Sequence, residues 1–169
     1  MKKTLDLRKV FGVILSFEPG QNPSGPFEME MQLVPGGKSA LHGHPDQQES
    51  FDVREGEFEI YLNGAWNMVK AGQQVLIPQA SKHAFRNSGA KNVMVLNKHI
   101  PGMRTQEYFE VMQRLIDEGK ITGTTGFRNS IYLSLHTVKY ADILKLYQPP
   151  GPLIKITAFI GSVLGYKIE

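Results

Sequence analysis

The sequence contains no cysteine. That absence excludes disulfide staples, thiolate zinc fingers, iron–sulfur clusters and thiol nucleophiles, and leaves histidine and carboxylate as the metal-binding repertoire. Charge of one sign is also scarce. Lys and Arg number 19 against 16 Asp and Glu, a formal +3 over 169 residues, and the basic residues are scattered. No basic run interleaves with aromatics and no helix-turn-helix or zinc pattern occurs, so nucleic acid is not an expected partner. Long apolar runs are missing too. The opening "MKKTLDLRKVFGVILSFEPG" is interrupted by Asp6, Arg8 and Lys9, and reads as mature sequence rather than a signal peptide. Pro152 to Leu164 is apolar but shorter than the roughly twenty residues a membrane span needs. A cytoplasmic location is the expectation.

What is present is turn-rich: 17 glycines and 10 prolines suit a β fold better than a helical one. From Phe11 to Ile100, short apolar or alternating runs are separated by turn residues. "VILSF", "FEMEMQLV", "ESFDV", "EFEIYL", "AWNMV", "VLIP" and "NVMVLN" each read as a strand. In "FEMEMQLV", Phe27, Met29, Met31 and Leu33 share one face, and the methionines read as core filler. Asn63-Gly64 between two runs is a strong hairpin signal. This pattern predicts a mainly β, antiparallel sandwich or barrel over residues 1–103, followed by a helical extension over 104–169. Within the extension, 104–119 and 130–147 read as helices. Its apolar end, residues 152–164, is expected to pack on the barrel or on a partner subunit. With an N-terminal strand free to pair across subunits, a homodimer is expected.

One stretch carries the chemistry. In "LHGHPDQQE", His42 and His44 are two positions apart and share a strand face, and Glu49 follows after a bend. Two imidazoles and a carboxylate brought together suggest a metal site. Residues 36–56 read G-x5-H-x-H-x4-E-x6-G. Further on, Gly72, Pro78, Ala80, His83 and Asn87 form a second spaced set. These two stretches resemble, in order, the two signature motifs of the cupin superfamily.

The resemblance implies an antiparallel double-stranded β-helix, the jelly-roll barrel also called RmlC-like. It also implies that His42, His44, Glu49 and His83 are ligands of a divalent metal. One departure is Ala80, where the motif usually has glycine; alanine there implies ordinary backbone or mild strain. Four protein ligands would close a tetrahedral zinc site, whereas Fe²⁺, Mn²⁺, Ni²⁺ or Co²⁺ would keep two positions open. The leading expectation is a metal-dependent oxygenase-like enzyme acting on a small oxygen-rich or enolate substrate, with Glu49 as the catalytic carboxylate that accepts a proton. The alternatives are a non-enzymatic module binding a sugar or organic acid, and a metal-dependent isomerase or lyase.

Phe85, on the same face as His83, and Phe51 are the expected substrate-contacting walls, and Trp66 is a further candidate. Strand parity places Gln48 and Arg86 away from the lumen. His99 and His136 match no motif and are expected at the surface or at helix ends.

Overall fold

Alternation along the chain is what builds the sheets in the computed structural model, which describes residues 1–168. Its elements run β1 (Lys3–Asp6), α1 (Arg8–Phe11), β2 (Val13–Phe17), β3 (Phe27–Leu33), β4 (His42–Gly43), β5 (Gln48–Glu55), β6 (Glu57–Leu62) and β7 (Ala65–Lys70). They continue with β8 (Gln74–Ile77), β9 (His83–Arg86), β10 (Val93–Ile100), α2 (Thr105–Asp117), α3 (Phe127–Lys139), β11 (Lys145–Leu146) and α4 (Gly151–Val163). A six-stranded sheet has the order β1-β2-β3-β10-β5-β8, and a five-stranded sheet the order β11-β4-β9-β6-β7. Among the described residues, neighbouring strands in both sheets pair antiparallel.

Period-two sequence becomes period-two burial. Phe27, Met29, Met31 and Leu33 are buried while the glutamates between them are not. Val13, Leu15 and Phe17 do the same on β2. From the other sheet Phe58, Ile60 and Val69 join the same core. Each such fully buried side chain contributes roughly 1.5–3 kcal/mol. Asn63 and Gly64, with φ 55° and 86°, close the β6–β7 hairpin in the doubly left-handed turn that matches strand twist.

One expectation is corrected and two are made specific. The expected helix over 130–147 is α3, which starts earlier at Phe127 and stops at Lys139. Beyond it the chain leaves the helix, and Lys145 and Leu146 pair with Gly43 and His42 on the edge of β4. An open strand edge outcompeted local helix preference there. The N-terminal strand β1 pairs with β2, Lys3 opposite Phe17, and forms the edge of its sheet. Ala80 lies in the left-handed region at φ 60°, with its N–H donating to the His44 carbonyl at 2.8 Å. The loop leading to His83 therefore carries a strain of roughly 1–2 kcal/mol.

The extension docks on the barrel. α2 buries Val111, Met112, Leu115 and Ile116 along one stripe. α4 lies close against α3 because residue 161 is glycine; a Cβ there would sit 2.5 Å from Ile131 Cγ2. Among the described residues no helix is long and apolar enough to cross a membrane.

Candidate metal centre

Two cross-strand pairs, one from each sheet, face each other here. His42 on β4 is directly opposite His83 on β9 in the smaller sheet. Glu49 on β5 is directly opposite His99 on β10 in the larger one. His44 lies in the loop that carries the chain from β4 across to β5. Donor atoms of His42, His44, Glu49 and His83 all lie within 4.8 Å of one another, and all four residues are buried. Strands that are rigid before any guest arrives hold them there.

Backbone carbonyls fix the tautomers. His42 Nδ1 is 2.8 Å from the Ala40 carbonyl, His44 Nδ1 is 2.7 Å from that of Ile143, and His83 Nδ1 is 3.0 Å from that of Ser81. A carbonyl only accepts, so each Nδ1–H donates and each ring turns its Nε2 inward. Those nitrogens meet a carboxylate: Glu49 Oε2 lies 3.2 Å from His44 Nε2 and 2.8 Å from His83 Nε2. His44 Nε2, His83 Nε2 and Glu49 Oε2 are buried with no well-directed hydrogen bond. Acceptors crowded this closely call for a proton or a cation between them. This donor set fits a divalent metal.

Charge states follow from burial and from each other. Burial, reinforced by the neighbouring imidazoles, holds His42 well below the ordinary histidine range, so it is neutral. Burial pulls the Glu49 carboxyl up, but the surrounding imidazoles, His99 and His44 foremost, hold it well below the usual carboxylate range. His83 is pushed down by burial and up by the Glu49 carboxylate, and the carboxylate wins. The Glu49 carboxylate thus favours a proton on His83, and a cation entering between them competes with that proton.

A second tier fixes the carboxylate. Asn97 Nδ2 donates to Glu49 Oε1 at 2.8 Å and to the Ser50 carbonyl at 3.2 Å. Asn97→Ala is expected to weaken Zn²⁺ or Co²⁺ binding roughly tenfold to a hundredfold while leaving the fold intact, as a competition titration against a chelator would measure.

Several sequence-based assignments move. His99 is not at the surface: it is buried, its ring packs edge-on to His44 at 4.8 Å, and its Nε2 lies 3.4 Å from Glu49 Oε1. Burial holds it down to about 3, so it is neutral. The alternation Val93, Val95, Asn97, His99 along β10 already pointed it inward. His136 is also buried, on α3, with Nε2 3.0 Å from the Tyr108 carbonyl and its ring against Tyr108 and Tyr140.

Phe85 lines the cavity beside the cluster; Phe51 does not, being fully buried behind Phe85 and Phe58. Trp66 is exposed, stacked under the Arg86 guanidinium at 4.1 Å. Arg86 points outward, doubly bonded to Glu59 at 2.8 Å, and Gln48 is exposed. Asn87 closes a turn through the Leu33 and Lys91 carbonyls.

The cavity measures about 530 Å³ and runs from this cluster to the inner faces of α2, α3 and α4. Met29 and Met31 are therefore cavity wall as well as core.

A double-stranded β-helix with an interior histidine–carboxylate cluster that could hold a metal defines the class. Residues 29–97 match the cupin domain family, so the chain carries a cupin domain over that segment. Protein SchB of Streptomyces halstedii is 38% identical over 55 residues, which cover 32% of this chain and 40% of that protein. Polyketide synthase CurC of Streptomyces cyaneus is 37% identical over 57 residues, 34% of this chain and 37% of that one. The chain thus spans well under half the length of the curated relatives it matches.

Among solved structures, KdgF from Halomonas sp. aligns with a TM-score of 0.54 at 16% identity, over 62% of this chain and 92% of that one. A predicted oxalate decarboxylase from Thermotoga maritima aligns at 0.51 and 20% identity, over 59% and 91%. At these identities the likeness is one of fold.

Proposed function

We propose that the protein is a metal-dependent, oxygenase-like enzyme acting on a small enol or enolate. His42, His44, Glu49 and His83 are its ligands and Glu49 is its catalytic carboxylate. The observation that carries this reading is the set of imidazole Nε2 atoms converging on a carboxylate at the wall of a cavity of about 530 Å³. Bound there, Fe²⁺ or a similar ion supplies Lewis acidity and one-electron chemistry toward dioxygen.

The chain's own residues do the rest. The ligands' net charge under a divalent ion is positive, which draws an anionic oxygen. Glu49 Oε2 receives the substrate's proton while Asn97 holds Oε1 still. Phe85 and the methionine wall keep bulk water out.

An oxygen electrode tests this. Fe²⁺-loaded protein with a panel of enols, 1,3-diketones and flavonols should consume dioxygen, and Glu49→Gln should slow uptake roughly a hundredfold or more. No uptake across the panel, with a guest recovered unchanged from the protein, would favour the binding-module reading instead.

Self-association is proposed through the outer face of α4, where Leu153, Ile156, Phe159, Val163 and Leu164 are exposed. Sedimentation of Phe159→Lys should then show monomer where the parent protein shows dimer.

A further inference from the structure

The cavity that begins at the histidine cluster changes character as it leaves it. On the sheet side its walls are Leu15, Met29 and Met31; on the helical side they include Phe109, Met112 and Leu133. Lys38 and Glu49 are the only Asp, Glu, Lys or Arg side chains among its described lining residues. The histidine–carboxylate cluster lies at one end, around Glu49; the opposite wall comes from helices outside the matched family segment, where His136 is already tied to the Tyr108 carbonyl.

Such a space treats the two ends of a guest differently. At one end an anionic oxygen pair meets imidazoles and a cation. Along the rest, the wall is mainly thioether and hydrocarbon. Hydroxyls that reach it at Ser130, Thr137 and Thr157 already donate to main-chain carbonyls one turn back. A guest hydroxyl would therefore lose its water for few free partners. Each unpaired hydroxyl costs about tenfold or more in affinity. Methionine, unbranched and polarizable, instead moulds itself to flat or irregular apolar bodies. The volume, about 530 Å³, is that of a site for a multi-ring or chain-bearing molecule, larger than a two- or three-carbon acid needs.

We propose that the guest is amphipathic: one chelating oxygen head, of the enolate or ortho-hydroxy-acid type, carried on an apolar ring or chain body that α2 and α3 enclose. This rests on the metal-site reading for the head and on the cavity alone for the body. Sugars and polyhydroxy acids, which an oxygen-rich pocket would take, are excluded by it.

The test uses Co²⁺-loaded protein, whose visible bands report a new oxygen ligand, and calorimetry, which reports affinity. Three probes are compared: salicylate, 3-hydroxy-2-naphthoate, which adds one ring to the same head, and tartrate, which offers a chelating head on a polar body. The added ring should tighten binding about tenfold, with tartrate weaker than both. Met31→Gln and Met112→Gln, near-isosteric and on opposite walls, should each erase most of the naphthoate advantage while leaving Co²⁺ content unchanged.

Naphthoate no tighter than salicylate, or tartrate tighter than either, would overturn the proposal. The Co²⁺ bands separate the two readings. Bands that shift with all three probes at equal affinity keep the metal site and remove the apolar body. A naphthoate advantage with unmoved bands keeps the cavity assignment and removes the metal-borne head.

Discussion

His83→Ala is expected to leave a folded protein that no longer retains a stoichiometric divalent ion through gel filtration. His83 is one of four donors, it is fully buried, and its Nε2 lies 2.8 Å from the carboxylate that completes the set. Apparent binding energies of four-ligand sites are roughly 10–16 kcal/mol, so one ligand is worth on the order of 3 kcal/mol. Affinity should drop on the order of a hundredfold to a thousandfold.

The same substitution removes the ring opposite His42 and the Nε2 that lies against Glu49 Oε2. The metal-free variant therefore keeps one buried carboxylate with fewer compensating imidazoles, and its thermal stability should fall relative to the metal-free parent. Elemental analysis of the purified variant, with Asn97→Ala as the milder companion, grades the two tiers of the site.

Gly12→Ala should be the most damaging single methyl in the barrel. Gly12 has φ 69°, and a Cβ there would overlap the Gly37 backbone; conversely, a Cβ on Gly37 would lie 2.5 Å from the Gly12 carbonyl oxygen. Two chain segments touch backbone to backbone, and both are tied in. The Gly12 carbonyl accepts from Val34 N at 3.0 Å, and the Gly37 carbonyl accepts from Asn87 N at 2.8 Å. Neither can retreat without breaking a ladder.

Left-handed strain of roughly 1–2 kcal/mol and overpacking of a similar size add to about 3 kcal/mol. For a chain of this length that lowers the melting temperature by roughly 6–12 °C. Gly20→Ala is the control. Gly20 has φ 78° but open space around it, so it should show the strain without the overlap.

Much of the site was legible because strand parity is local. His42 and His44 lie two apart, Glu49 follows after one bend, and each strand's inward face could be counted residue by residue. Parity fixes a face and not a depth. Phe51 and Phe85 both face inward, yet one is sealed in the core and the other borders the cavity, because their heights differ along strands on opposite sheets.

Register between distant strands was equally hidden. Nothing near His99 in sequence reveals that β10 sets it opposite Glu49. Alternation from Val93 onward gave its direction but not its neighbour. The return of Lys145 and Leu146 to β4 was invisible for a different reason. A two-residue strand has no periodicity of its own, and its pairing depends on an edge formed about a hundred residues earlier. That return also delivers the Ile143 carbonyl that orients His44, so the extension takes part in building the centre.

X-ray absorption on protein loaded with one equivalent of Zn²⁺ reads the metal centre itself. The spectrum should show three imidazoles, recognisable by multiple scattering from the rings, and one oxygen donor, all near 2.0–2.2 Å. A spectrum with fewer than two imidazoles, or one unchanged when His42 and His83 are both replaced by alanine, would contradict the ligand assignment.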